Sequence, residues 1–144
     1  MYFSEGQTAS ITREVTAADV ETFAGISGDN NPVHLDPEFA AKSRFKKRIA
    51  HGILSAGYIS AVLGSKLPGP GTIYLSQSIN FKAPVYLGDR ITATVTVLNF
   101  RPDKHLLTLR THCTNQDGLV VLEGQAVCLT SDVVEPSEPA KAAS

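Results

Sequence analysis

Hydrophobic and polar residues alternate with a period of two along most of the chain after Thr72. From Ile91 to Val97, isoleucine, alanine or valine fills every second position and threonine fills the positions between. Such alternation is typical of antiparallel strands with one buried face. With a shorter segment near the N-terminus, the pattern predicts strands at Thr8–Glu14, Ile73–Lys82, Arg90–Arg101, His105–Asn115 and Leu119–Thr130.

Between the first two predicted strands, apolar residues have the spacing of a helix. Apolar residues recur on one face of a predicted helix over 17–26, for which Thr16 is a suitable N-cap. Asp36 followed by Pro37 is a second start signal and predicts a short helix through about Lys42.

The stretch from Ile49 to Leu63 carries no formal charge when His51 is counted as neutral. Isoleucine, leucine, alanine and glycine lie around its whole circumference, which is typical of a buried helix. Gly64 and Pro68 end it. One nonpolar helix followed by long antiparallel strands predicts an α+β domain whose curled sheet wraps around that helix.

Composition narrows the class of protein. The chain of 144 residues has the size of one ordinary domain, which we place at 1–130. Residues 131–144 are rich in proline, glutamate, alanine and serine and are predicted to be a disordered tail. A net charge of −1 gives no support for a nucleic-acid or polybasic membrane surface. No signal peptide or membrane-length apolar stretch is visible, so we expect a soluble, cytoplasmic protein.

The two cysteines are predicted to be small buried hydrophobic residues. A hairpin centred on Asn115–Gly118 would place Cys113 opposite Val120 and Cys128 opposite His105. The cysteines would then lie about 25 Å apart at the rise of a strand, too far for a disulfide. The spacing of cysteine and histidine does not match a zinc site.

The segment Ser27–Asp36, Ser-Gly-Asp-Asn-Asn-Pro-Val-His-Leu-Asp, has the clearest chemical potential. Glycine, asparagine and proline favour loops, so Asp29 and His34 are predicted to lie on a rigid loop of the kind that often carries catalytic groups. A carboxylate and an imidazole can hold one water between them, as addition of water to a double bond requires. The alternative is a polar turn with a surface histidine.

Together with Ile-Ala-His-Gly-Ile-Leu at 49–54, this segment resembles the (R)-specific enoyl-CoA hydratases, a branch of the MaoC-like dehydratases. Similarity continues in Leu67–Leu75 and in the Pro-Val-x-x-Gly-Asp turn at 84–89, which marks the wider hot-dog fold. The resemblance implies a hot-dog fold with Ile49–Ser65 as the central helix, and a homodimer formed by edge-to-edge sheet pairing. It also implies (R)-specific hydration of trans-2-enoyl-CoA to (3R)-3-hydroxyacyl-CoA, for polyhydroxyalkanoate synthesis or fatty-acid metabolism. No cofactor or metal is predicted.

The resemblance assigns roles to individual residues. Asp29 and His34 match the family's catalytic pair, and Asn31 is expected to hold the loop. Gly52 matches a glycine whose N–H contacts the oxyanion, and the free N–H groups of a helix start suit developing negative charge. The alternative is that Gly52 only permits close packing. The competing carboxylate, Asp36, fits an N-cap better.

Ser60 matches a family serine near the acyl pocket, although a hydrogen bond to the Ala56 carbonyl is an equal alternative. Leu63 is three residues further on and shares that helix face, so both are predicted to face the acyl tail. The basic run Lys46-Lys47-Arg48 could contact CoA phosphates, but a solvated loop is the simpler interpretation. His51 could cap the helix, pack or help fix the loop, and it receives no catalytic role.

Other functions stay open. A hot-dog thioesterase could use one carboxylate and the same helix start, but a paired aspartate and histidine suit water addition better. A metal enzyme using Asp29, His34 and Asp36 is weakly indicated. A dehydratase of branched hydroxyacyl-CoA thioesters and a non-catalytic acyl-binding scaffold subunit are further alternatives, and the presence of both catalytic residues counts against the scaffold.

Overall fold

All five predicted strands are present in the computed structural model, which describes residues 2–131. Their bounds are Thr8–Glu14 (β1), Ile73–Phe81 (β2), Arg90–Arg101 (β3), Leu106–Thr114 (β4) and Val120–Leu129 (β5). They form one sheet in the order β1-β3-β4-β5-β2, and every pairing is antiparallel. The predicted tail lies, apart from Ser131, outside the described residues.

Four helices complete the described part of the chain: Ala17–Ser27 (α1), Pro32–Leu35 (α2), Pro37–Ala41 (α3) and Gly52–Ser65 (α4). The predicted N-caps of α1 and α3 are confirmed, because the side chains of Thr16 and Asp36 accept hydrogen bonds from backbone N–H groups of the first turn. The single turn α2 was predicted as loop. Asn31 caps it and Pro32 is its first residue, a start signal that is easily masked by neighbouring turn residues.

The helix α4 begins at Gly52 and not at Ile49. Ile49 instead forms a β-bridge with Tyr86, and the Ala50 N–H donates to the Val85 carbonyl at 2.7 Å. These hydrogen bonds hold the chain extended until His51, which is the N-cap.

The prediction that α4 is buried on all sides is wrong for the single chain. Ser55, Ile59, Val62 and Leu63 are buried, whereas Ile53 is 49% exposed. Only one face of the helix packs on the sheet, mainly against β3. The core therefore lies between this face and the buried side chains of β3, β4 and β5.

Both cysteines are free and buried, as predicted. Burial raises the pKa of Cys113 to about 12 and that of Cys128 to about 11, so both stay protonated thiols. The predicted register was wrong by two residues: Cys113 lies opposite Leu122 and Cys128 opposite Leu107. The loop between β4 and β5 is longer than the predicted turn, and the pairing of these strands shifts between Cys113 and Thr114.

No helix among residues 2–131 is long and apolar enough to cross a bilayer. The expected cytoplasmic location stays a prediction.

Candidate active site

Three segments meet at one end of α4: the loop after α1, the turn α2, and the residues at which α4 begins. Gly28 ends α1 with φ of 81°, a left-handed conformation that glycine adopts without strain, and its N–H donates to the Ala24 carbonyl at 2.8 Å. The chain then turns. The Asp29 carboxylate accepts the Asn31 N–H at 3.2 Å, and the Asn31 side chain accepts the Val33 N–H at 3.2 Å. Asn31 therefore makes the contacts expected of a residue that holds the loop.

His34 lies at the last turn of α2 and is 8% exposed. Its Nδ1 is 2.7 Å from the carbonyl oxygen of Ile49. Because a carbonyl can only accept, Nδ1 carries the proton, and Nε2 has a free lone pair when the ring is neutral. Burial lowers the pKa of His34, against the effect of the Ile49 hydrogen bond, which raises it. The ring is therefore mostly neutral near pH 7 and can act as a base at Nε2.

The His51 side chain lies against the same histidine. The ring centroids of His34 and His51 are 3.9 Å apart with an angle of 31° between the planes. The Phe23 ring also contacts His51, with its centroid 4.7 Å from that of the imidazole. Nε2 of His51 is 3.0 Å from the backbone carbonyl oxygen of Asp29, and the residue is 2% exposed. The sequence left open whether His51 caps the helix, packs or helps fix the loop; it is the N-cap residue of α4, and its side chain contacts the loop at Asp29.

Asp29, His34, His51 and Gly52 all line one cavity of about 550 Å³. Most of its remaining wall is apolar, with contributions from Phe45, Ile53, Phe81, Val85, Val121 and Leu122. A small polar group at one end of an apolar cavity is the usual form of a site for a small organic ligand.

Gly52 is the first residue of α4, so its N–H has no acceptor within the helix. A Cβ atom at this position would lie 2.7 Å from the Phe81 ring. The close approach of Phe81 therefore favours glycine at this position. This packing role is compatible with an N–H that faces the cavity.

Ser60 and Leu63 do not line this cavity. Ser60 is exposed, whereas Leu63 is 1% exposed and belongs to the core. Within the described chain, the Ser60 hydroxyl does not form the alternative hydrogen bond to the Ala56 carbonyl. The predicted contact of both residues with an acyl tail stays a prediction.

The basic run is more than a solvated loop. Nε of Arg48 donates to the His34 carbonyl at 2.7 Å, and its guanidinium is 3.7 Å from the Glu21 carboxylate. Nζ of Lys47 lies 4.7 Å from the centroid of the Tyr86 ring. Arg48 thus braces α2, while phosphate binding by Lys46 and Lys47 stays a prediction.

The site residues also include a group of possible metal ligands. Asp29, His34 and His51 each have one possible ligand atom within 4.8 Å of the others. Asp36 is not in this group, because its carboxylate accepts the Glu38 N–H at 2.9 Å. The two imidazole rings have centroids 3.9 Å apart and an angle of 31° between their planes. Each ring also has one nitrogen occupied by a carbonyl oxygen.

The chain is similar to known proteins over most of its length. Residues 3–115 match the sequence model of a family described as MaoC like domain. An (R)-specific enoyl-CoA hydratase of Rhodospirillum rubrum is 54% identical over 125 residues, 87% of this chain and 86% of that protein. A 3-hydroxybutyryl-CoA dehydratase of Methylorubrum extorquens is 45% identical over 130 residues, 88% of this chain and 82% of that protein.

The fold is also that of a solved enzyme. The (R)-hydratase from A. caviae involved in PHA biosynthesis superimposes with a TM-score of 0.87 and 45% identity, covering 89% of this chain and 97% of that one. The hot-dog architecture expected from the sequence is thereby confirmed.

Proposed function

The chain belongs to the family of MaoC-like domains, and on that premise we propose that it is an (R)-specific enoyl-CoA hydratase. It adds water reversibly to trans-2-enoyl-CoA and forms (3R)-3-hydroxyacyl-CoA, which makes it a hydro-lyase. The observation that carries this assignment is a neutral imidazole, a carboxylate and a free helix N–H at one end of an apolar cavity.

The geometry suggests a role for each group. Water lies between the Asp29 carboxylate and Nε2 of His34, and the carboxylate orients it. As the water oxygen bonds to the β carbon, Nε2 takes one of its protons. The Gly52 N–H donates to the thioester oxygen, which gains enolate-like charge. The imidazolium of His34 then returns the proton to the α carbon, so that one H₂O is added in total.

The test is a spectrophotometric assay with crotonyl-CoA, in which hydration removes the absorbance of the conjugated double bond. The configuration of the product is determined in parallel, and free thiol is measured to detect thioester hydrolysis. We expect loss of absorbance, (3R)-3-hydroxybutyryl-CoA and no thiol. Thiol release without 3-hydroxyacyl-CoA would replace the hydratase by the thioesterase alternative.

We also propose that the protein is a homodimer with its site near the subunit interface. The support is a contrast between the two edges of the sheet. The edge strand β1 exposes Thr8, Ser10, Thr12 and Glu14, whereas β2 exposes Ile73, Tyr74, Leu75 and Phe81. An exposed apolar edge favours pairing with a second chain. Phe81, 57% exposed, is also a wall of the cavity. Light scattering that finds a fully active monomer would contradict the dimer.

The product also suggests a place in metabolism. The A. caviae relative is involved in PHA biosynthesis, and a (3R)-3-hydroxyacyl-CoA from this chain has the chemistry to enter a pathway of that kind. Its acyl length is set by the cavity and by any surface that a partner subunit adds.

A further inference from the structure

We propose that His51 is a positioning residue, which holds Asp29 through a hydrogen bond and His34 through ring contact at the start of the helix that presents Gly52. The inference rests on the proposed hydration, since it concerns the groups that carry out that reaction.

The hydrogen bond defines which ring nitrogen of His51 is the donor. Its Nε2 is 3.0 Å from the Asp29 carbonyl, which can only accept, so Nε2 carries the proton. In His34 the proton is on Nδ1 instead. The two stacked rings, with centroids 3.9 Å apart, thus donate from different nitrogens, Nε2 in His51 and Nδ1 in His34. Nδ1 of His51 is buried without a hydrogen-bond partner among the described residues, which fits a ring that is kept for its other contacts.

The ring contact restricts His34. One hydrogen bond, at Nδ1, fixes the position of an edge of the His34 ring but leaves its plane free to tilt. The face of His51 lies against that plane, and the Phe23 ring of α1 packs on His51 in turn, with centroids 4.7 Å apart. Because both rings are almost fully buried, a tilt of His34 requires His51 to move as well. Nε2 of His34 is therefore aimed by a packed neighbour.

His51 also connects these two residues to Gly52. It is the N-cap of α4, with φ of −62° and ψ of 129°, and its peptide bond leads directly to the Gly52 N–H. One residue therefore fixes the loop of Asp29, the ring of His34 and the start of α4. Loss of these contacts is expected to lower kcat more than it raises KM, because other segments supply the apolar walls of the cavity.

Three substitutions separate the contacts. His51→Phe keeps a ring but lacks the donor. His51→Gln places an amide N–H near the position of Nε2, whereas the shorter side chain in His51→Asn reaches only the position of Nδ1. Val62→Ala is the control for general destabilisation, since Val62 is fully buried on α4 and does not line the cavity.

We expect kcat with crotonyl-CoA to fall about a hundredfold in His51→Phe and His51→Asn, the cost of a misplacement near 1 Å. KM should change by no more than about threefold. His51→Gln should recover about tenfold of the loss relative to His51→Asn, because the donor is restored. Val62→Ala should melt at lower temperature and keep its kcat.

A folded His51→Phe with nearly normal kcat would overturn the inference. A His51→Gln variant as slow as His51→Asn would also overturn the inference. If His51→Phe does not fold, the comparison of these two variants is the test. A wild-type protein that leaves crotonyl-CoA unchanged would overturn the proposed function and this inference with it. If the wild type is active and the folded His51 variants have the same kcat, this inference is wrong and the proposed function stands.

Discussion

The Gly52 N–H can be removed without removing the helix. Proline is tolerated at the first position of a helix, where the N–H has no internal acceptor and φ is already near −65°. The preceding residue must be extended, and His51 is, with ψ of 129°. Gly52→Pro therefore deletes the proposed oxyanion donor at a position where proline fits the backbone.

The obstacle is Phe81. A Cβ at position 52 would lie 2.7 Å and 2.8 Å from two atoms of the Phe81 ring. Ordinary carbon contacts are about 3.5–4.0 Å, so the ring would have to move by about 1 Å. Any substitution at position 52 is therefore compared in a Phe81→Ala background, which clears this space.

The decisive pair is Gly52→Ala/Phe81→Ala and Gly52→Pro/Phe81→Ala. Both add a Cβ, and only the second lacks the N–H. We expect kcat with crotonyl-CoA to be about 10²–10³-fold lower in the proline variant, the usual effect of losing one oxyanion donor. Melting temperatures of the two variants should be similar. If both variants have the same kcat, the Gly52 N–H is not the oxyanion donor and Gly52 serves only close packing.

The remaining predictions concern the other site residues. Asp29→Asn and His34→Ala should each lower turnover at least about a hundredfold and stay folded, as circular dichroism would show; near-normal turnover in either would remove that residue from the mechanism. Because burial lowers the pKa of His34, kcat/KM should fall with decreasing pH only below the ordinary histidine value, as Nε2 becomes protonated; an acid limb well above that value would contradict a neutral base. Leu63→Ala should lower the melting temperature, because Leu63 is buried in the core and its truncation leaves a void; if that void extends the acyl pocket, as the sequence predicts, kcat/KM for C8 over C4 substrates should rise by about 1–3 kcal/mol of discrimination, whereas an unchanged ratio in a folded variant would make Leu63 ordinary core.

The strands were predictable because their signal is local. The alternation from Ile91 to Val97 depends only on one buried face, and the bounds of β3 agree with the prediction at both ends. The N-caps Thr16 and Asp36 were predictable for the same reason, since each acts on N–H groups two or three residues away.

The incorrect predictions concern residues whose structure is set by contacts between distant segments. Ile49 and Ala50 have the composition of the helix that follows, but the β-bridge between Ile49 and Tyr86 and the hydrogen bond from the Ala50 N–H to the Val85 carbonyl hold them extended. The exposed face of α4 is equally invisible, since an apolar sequence does not say how much of it one sheet can cover. His51 looked like a helix residue because Asp29 and Phe23 reach it only after folding.

The acceptors that fix the donating nitrogen of each imidazole are both main-chain oxygens, of Ile49 and Asp29. A main-chain oxygen is present whatever side chain occupies the position, so substitution at residue 49 leaves the acceptor of His34 in place. The proton pattern of the site is in this sense robust to mutation at Ile49. It is vulnerable instead to changes that shift the backbone, above all loss of the Ala50–Val85 hydrogen bond, which would move the acceptor of the His34 ring without altering the side chain of any proposed catalytic residue.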